Sequence, residues 1–252
     1  MKNLKSLVAL LGVAFIMVQC QDESMESITE VNKETIPEHI ISGLENLGFD
    51  TVEIPVVPYE EGYLVEGDIY LTTEDIVKPV TKQRFVRVMT CQRSRNVRIR
   101  SNLGNRWNVQ VNTAIRNWNN VNGSFLRLVR VTNNADIVIN FDGGRLAPNV
   151  AGMAQFPENG RAGRTILINP DFFNGRPFLN ANVRSTIEHE IGHNIGFAHT
   201  NTAPFGRPVP GVANEDNASL MNGGRAGTVR QLSFNDRRAL RRLYGPGNNV
   251  CF

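Results

Sequence analysis

The sequence predicts an α+β fold, because one long helix is followed by several short strands and then by two more helices. Apolar side chains recur at helical spacing over residues 106–121, so one face of this helix is expected to be buried. The positions on that face are Trp107, Val111, Ala114, Ile115, Trp118 and Val121. Short β-rich runs follow, separated by Asn-Asn, Gly-Gly and Pro, over residues 125–131, 135–141, 152–156 and 165–169. Helices are predicted again over 182–196 and 235–244, the last ending at Gly245-Pro246.

Three segments are expected within the 252 residues, of which 41% are hydrophobic and 20% charged. Lys2 and Lys5 precede an apolar run over residues 7–18, which is typical of a signal peptide and too short for a membrane-spanning helix. Cys20 follows this run as in a bacterial lipoprotein signal, so we interpret residues 1–20 as that signal and Cys20 as the acylated first residue. This predicts an exported, membrane-anchored protein; free secretion and a retained signal anchor are the alternatives.

Residues 21–82 and 83–252 carry charge of opposite sign. The first segment holds 15 acidic residues and 3 lysines, whereas the second holds 22 arginines, 9 acidic residues and no lysine. Net charges of −12 and +13 attract, so we expect an acidic pro-region over residues 21–82 to dock on a basic domain over residues 83–252. A solvated basic surface is the simpler alternative. A nucleic-acid partner is disfavoured, because the arginines are scattered and match no nucleic-acid motif.

The acidic segment contains two predicted structural stretches. A helix is expected over residues 37–47, and extended structure over residues 51–77, where short apolar runs alternate with turn residues. We therefore expect a small compact pro-domain.

Two cysteines remain once Cys20 is assigned to the signal. An even pair in an exported protein favours a disulfide between Cys91 and Cys251. In the chain-entropy model, a disulfide that closes so long a loop stabilises the folded state by about 4 to 5 kcal/mol. The alternative is that Cys91 is a free thiolate that caps a metal ion in a latent form.

A metal site is predicted from residues 188–199, which contain the pattern HExxHxxGxxH in full. His189 and His193 are four residues apart, so on a helix both imidazoles lie on one face and can reach one zinc ion. Glu190 lies beside them, where its carboxylate can take a proton from a zinc-activated water. Gly196 can adopt a positive φ, which lets the chain leave the helix and bring back His199 as the third ligand.

Three neutral imidazoles leave one tetrahedral position for water, which is typical of a catalytic zinc site. The chain has four histidines, and His39 is the one outside the pattern. This disfavours an accidental spacing of surface or core histidines. A structural metal site needs no general base, so Glu190 favours an enzyme over a binding protein.

The pattern and the later Ser219-Leu220-Met221 resemble the metzincins, zinc peptidases whose Met-turn lies beneath the metal; Met221 matches that methionine. The sequences of residues 189–193 and 235–245 are similar to those of the bacterial dual-action HEIGH metallopeptidases, and this resemblance covers about residues 83–252.

The resemblance implies a metzincin-like (zincin) catalytic domain with a twisted mixed sheet and an active-site helix. It also implies an edge strand that holds extended substrate by strand addition, for which residues 152–156 are the best match. Astacin-like metzincins carry a Tyr shortly after the Met-turn, whereas here Asn222-Gly223-Gly224 follow. We therefore assign no Tyr to the site.

Residues 66–69, Glu-Gly-Asp-Ile, resemble the pro-region motif of astacins, in which the Asp occupies the zinc position that water needs. The resemblance implies that Asp68 is a latency ligand, removed by a cut between residues 75 and 91, where Lys82, Arg84 and Arg87 offer basic sites. The alternative is that Gly67-Asp68 is only a turn between two strands.

The sequence thus predicts an exported zinc endopeptidase with one catalytic zinc, made as a latent pro-form. Its expected partners are protein or peptide substrates and its own acidic pro-region as an intramolecular inhibitor. The alternatives are a surface-anchored binding protein with a structural or permanently blocked zinc, and an Arg-rich module for acidic polymers. Additional calcium is left open by the sequence.

Overall fold

The computed structural model describes residues 35–47, 49, 51–52, 54–77, 88–201, 209–212, 216–224 and 227–246. The predicted signal, Cys20 and Cys251 lie outside these ranges, so the lipid anchor and the disulfide stay predictions; Cys91 is the first residue of a short helix. Contacts divide the chain into two units, of which Met1–Thr35 lies almost wholly outside the described residues. The second unit, Ile36–Phe252, contains every element below. Among the described residues, no helix is long and apolar enough to cross a membrane.

Eight strands and six α-helices follow one another in the described residues. The strands are β1 (Val57–Tyr59), β2 (Gly62–Val65), β3 (Ile69–Thr72), β4 (Val97–Ser101), β5 (Leu128–Arg130), β6 (Ile137–Phe141), β7 (Gly152–Gln155) and β8 (Thr165–Ile168). The helices are α1 (Glu38–Leu47), α2 (Thr73–Val77), α3 (Cys91–Ser94), α4 (Asn108–Asn119), α5 (Leu179–Asn194) and α6 (Phe234–Tyr244). The predicted α+β class with a mixed sheet is confirmed.

All eight strands form one sheet in the order β1-β2-β3-β7-β8-β6-β4-β5. The strands β8, β6, β4 and β5 pair in parallel, and β7 runs antiparallel to β8. Strands β1 to β3 come from the acidic segment and extend this sheet, because β3 pairs in parallel with β7. The predicted edge strand therefore has its outer edge covered by β3, so the acidic segment joins the sheet of the basic domain by main-chain hydrogen bonds.

The long helix α4 packs its predicted face into the core. All six predicted positions are buried, and Trp118 is fully buried against the Phe197 ring, with 5.3 Å between ring centroids. The indole Nε1 of Trp118 also donates to the Glu188 carbonyl at 2.9 Å. Burial of two Trp side chains contributes several kcal/mol and holds α4 against α5. This contact fixes the helix that carries the predicted metal ligands.

Two features differ from the sequence prediction. Strand β4 was not among the predicted runs, and Thr73–Val77 forms helix α2, so the prediction of extended structure there was wrong. Thr72 caps this helix: the Asp75 carboxylate accepts from the Thr72 N–H at 3.0 Å, and the Thr72 hydroxyl accepts from the Asp75 N–H at 3.2 Å. Such a reciprocal cap outweighs the β propensity of a short segment.

Candidate metal centre

Helix α5 and the turn after it bring the three predicted histidines together. His189 and His193 lie one turn apart on α5, and both are buried. Gly196 has a φ of 105°, and the Phe197 N–H donates to the Gly192 carbonyl at 2.9 Å, which ends the helix. The chain then turns back and places His199 beside the other two. The predicted role of Gly196 as the exit from the helix is confirmed.

The imidazole Nε2 atoms converge on one point. Nε2 of His189 lies 3.0 Å from Nε2 of His193 and 3.2 Å from Nε2 of His199. Ligands about 2.0 to 2.1 Å from a tetrahedral zinc are separated by about 3.3 Å, so these spacings fit one such ion. The chain thus supplies three nitrogen ligands of a single metal site.

The outer nitrogen of each histidine faces an oxygen acceptor. Nδ1 of His189 lies 2.7 Å from the Leu220 carbonyl, and Nδ1 of His193 lies 2.7 Å from the Phe197 carbonyl. Nδ1 of His199 lies 3.1 Å from Oε2 of Glu66. A proton on each Nδ1 can be donated to this acceptor, so Nε2 is the nitrogen that each ring offers to a metal. The hydrogen bonds also fix the orientation of the three rings.

Asp68 of the acidic segment completes the group. Its Oδ1 lies 3.2 Å from Nε2 of His199, and its Oδ2 lies 3.4 Å from Nε2 of His189. Burial would raise the pKa of the Asp68 carboxyl, but the surrounding imidazoles, His199 foremost, outweigh it and hold that pKa well below its usual range. Among the described residues the potential metal-binding group is Asp68, His189, His193 and His199, so it contains Asp68 and not Cys91.

Glu190 is a buried acid beside this group. Neither carboxylate oxygen has a hydrogen-bond partner among the described residues. Burial raises the pKa of Glu190 well above its usual range, and the Asp68 carboxylate raises it further. A Cβ on Gly152 would lie 2.8 Å from Oε1 of Glu190, so only glycine lets β7 approach this carboxylate. A buried carboxyl that no neighbour satisfies is costly for folding and is typical of a functional site.

The predicted Met-turn methionine packs beneath the helix. A Cβ on Gly192 would lie 2.8 Å from Cε of Met221, so the glycine of the HEIGH motif makes room for this side chain. Asp236 at the start of α6 holds the turn, because Oδ2 accepts from the Leu220 N–H at 2.8 Å and Oδ1 from the Ser219 hydroxyl at 2.6 Å. Sequence reasoning missed Asp236, although Ser233 to Asp236 has the spacing of a capping box.

Asn194 joins α5 to the strand beside the site and was also missed. Its Nδ2 donates to the Gln155 carbonyl of β7 at 2.7 Å and to the Thr165 carbonyl of β8 at 3.2 Å. These two carbonyls lie where the β7–β8 ladder ends, so the amide replaces a ladder hydrogen bond there. Asn194 directly follows His193 in the chain. It therefore sets the position of β7 relative to the histidines.

Glu188 precedes His189 but belongs to the opposite side of α5, facing α4. Its Oε2 accepts from Nδ2 of Asn117 at 2.8 Å, and its Oε1 is buried without a partner among the described residues. Burial raises the pKa of Glu188 to about 7, although Asn117 and Arg184 oppose the shift. The raised pKa means that the folded protein is more stable with the neutral carboxyl group of Glu188 than with its carboxylate.

Replacing Glu188 by Gln is expected to stabilise the protein at about pH 8 and to have little effect near pH 4. The folded pKa of Glu188 is raised, so its contribution to stability is present below the unfolded value and is lost as the pH rises through about 7. Gln stays neutral and can still accept from Asn117, so the gain above pH 7 should approach about 3 kcal/mol. Thermal unfolding of both chains across this pH range measures it; equal stability at high pH would contradict it.

Comparison with known proteins gives one family match and several structural likenesses. The model of the dual-action HEIGH metallopeptidases matches residues 60–227, so the match starts within the acidic segment and includes Asp68. A myroilysin structure is 16% identical, with 62% of this chain and 82% of that chain covered and a TM-score of 0.41. High choriolytic enzyme 1, a hatching enzyme zinc-protease from the medaka fish Oryzias latipes, is 16% identical, with 57% and 86% covered and a TM-score of 0.39. No curated protein matches significantly.

The family match spans two thirds of the sequence and contains all three histidines, Glu190 and Met221. It confirms the predicted enzyme class, a zinc metallopeptidase, and the family that the sequence resembles. The chain belongs to the dual-action HEIGH metallopeptidase family.

Proposed function

We propose that this chain is the latent precursor of an exported zinc endopeptidase, in which Glu190 is the general base. The observation that carries the proposal is the buried Glu190 carboxylate, which has no hydrogen-bond partner among the described residues and lies beside three histidines whose Nε2 atoms converge. His189, His193 and His199 would hold the ion. The three imidazole donors and their tetrahedral spacing favour zinc over calcium or magnesium, which prefer oxygen ligands. Export is supported by the sequence of residues 1–20.

Each residue has a definite part in peptide hydrolysis. When bound, zinc supplies Lewis-acid polarisation of the attacking water and of the peptide carbonyl. Glu190 takes the proton of the attacking water on a carboxylate oxygen and then gives it to the leaving amine nitrogen. Strand β7 would hold the substrate main chain, and Gly152 brings that strand to the Glu190 carboxylate.

The acidic segment would keep the enzyme inactive in two ways. Strand β3 pairs with β7 from Ile69 to Tyr70, along the edge that substrate would need. Asp68 lies within 3.2 to 3.8 Å of all three Nε2 atoms, where its carboxylate would exclude water from the metal. The Glu60–Arg145 ion pair, 2.6 Å long, is about half exposed and adds little to this docking.

Maturation would require a cut before Met89. The Met89 side chain is buried, and its N–H donates to the Tyr244 hydroxyl at 3.2 Å, so this residue belongs to the catalytic core. Tyr244 in turn donates to the Ile195 carbonyl at 2.5 Å, which links the start of the mature domain to the end of α5. The basic residues Lys82, Arg84 and Arg87 precede this anchor and lie outside the described residues.

The test is hydrolysis of a quenched protein substrate by the chain after an engineered protease site between residues 78 and 87 has been cut. We expect cleavage that a zinc chelator abolishes and added zinc restores. The uncut chain should be much less active. Absence of cleavage after complete removal of the acidic segment, with zinc bound, would instead favour the binding protein with a permanently inactive site.

A further inference from the structure

The three metal-binding histidines differ in the origin of their outer hydrogen-bond partners. The Leu220 and Phe197 carbonyls that serve His189 and His193 belong to the catalytic domain. The partner of His199 is a side chain 133 residues earlier in the sequence, Glu66 of the acidic segment. One of the three ligands therefore depends on the part of the chain that maturation would remove.

The contact between Glu66 and His199 is buried and specific. Both side chains have no exposed surface, and Oε2 of Glu66 lies 3.1 Å from Nδ1 of His199. The turn between β2 and β3 places it, with a φ of 51° at Glu66 and 90° at Gly67. A left-handed conformation costs a non-glycine residue about 1 kcal/mol or more and persists where the surroundings impose it. This turn directs Glu66 to the outer side of His199 and Asp68 to its metal side.

We propose that Glu66 is a positioning residue for the metal site, so that the acidic segment strengthens the site at the same time as it blocks it. This inference rests on the proposed zinc site and latent form. A carboxylate on the outer nitrogen of a metal-binding histidine fixes the ring and makes Nε2 a better donor, and its loss weakens metal binding about 10- to 100-fold. Removal of the segment takes this carboxylate from His199, so the full chain holds zinc more tightly than the mature enzyme.

The test is the zinc affinity of full-length chains, measured by competition with a chromophoric chelator. All chains carry Glu190→Ala so that none is cut during the measurement. Glu66→Gln removes the charge and keeps the size, and we expect it to weaken zinc binding about tenfold. Glu66→Gly removes the contact and suits the positive φ, and its affinity should fall by up to about 100-fold. Glu61→Gln, at an exposed acidic residue of the β1–β2 turn, is the matched control and should leave the affinity unchanged.

Asp68 also faces the metal, so the comparison is repeated with Asp68→Ala in every chain. The effect of Glu66→Gly should persist there, because it acts through His199 and not through Asp68. Thermal unfolding of the metal-free chains shows that each variant is folded. Wild-type zinc affinity of both Glu66 variants in both backgrounds would overturn the inference. The measurement needs no peptide cleavage, so it can fail or succeed independently of the proposed peptidase activity.

Discussion

Replacing Glu190 by Gln is expected to lower kcat/KM of the cut, zinc-loaded enzyme by about a thousandfold. Gln matches the size of Glu190 but cannot take a proton from water or return it to the leaving amine. Neither neighbouring acid of the described residues can replace it, because Asp68 leaves with the acidic segment and Glu188 faces α4. Zinc should stay bound, since the three Nε2 donors are unchanged. Steady-state hydrolysis and metal content of the same preparation give both values.

The matched control is Glu188→Gln on the same helix, which should retain activity because its side chain lies on the opposite side of α5. Two results would contradict the role of Glu190. Full activity of Glu190→Gln would show that another group moves the proton. Loss of zinc in parallel with activity would show that Glu190 maintains the site and has no separate catalytic part.

Replacing Asp68 by Asn in the uncut chain is expected to raise its basal hydrolysis about 100-fold. Asn is nearly the same size but carries no charge, so it is a poor ligand for a metal held by three imidazoles. Loss of a buried charged contact of about 3 kcal/mol shifts the balance between blocked and open forms by about this factor. The measurement compares initial rates of the two uncut chains on the same quenched substrate.

Two comparisons make this result specific. Glu61→Gln removes one negative charge from the same segment at an exposed position, and its chain should stay latent. After removal of the segment, the Asp68→Asn and wild-type chains should have identical rates, because the mature enzymes are the same molecule. An uncut Asp68→Asn chain as inactive as wild type would mean that the β3–β7 pairing alone is sufficient for latency.

The metal ligands could be predicted because they lie within one short stretch of sequence. Spacing of four residues along a helix determines that His189 and His193 share a face, whatever surrounds the helix. Gly196 provides the positive φ that brings back His199, and this conformation also depends on local chemistry. The buried face of α4 followed from its helical periodicity in the same way.

Contacts between distant parts of the chain could not be predicted in detail. The charges of residues 21–82 and 83–252 indicated that the two would attract, but long-range attraction does not select a strand or a register. The structure places β3 on β7 through main-chain hydrogen bonds. Such bonds join backbone groups that almost every residue carries, so the residue pattern does not predict which two strands pair. Asn194 and Asp236 were missed for a related reason, since their acceptors and donors lie on other elements.

The sequence by itself determined the metal ligands, the acid beside them and the helix that carries them, because each depends on neighbours a few residues away. Only the tertiary structure decided which groups surround that site. Glu66 and His199 meet because β3 joins β7, and β7 approaches the Glu190 carboxylate because residue 152 is a glycine. Such contacts are set by packing and strand register over the whole domain, and these depend on the entire chain folding at once.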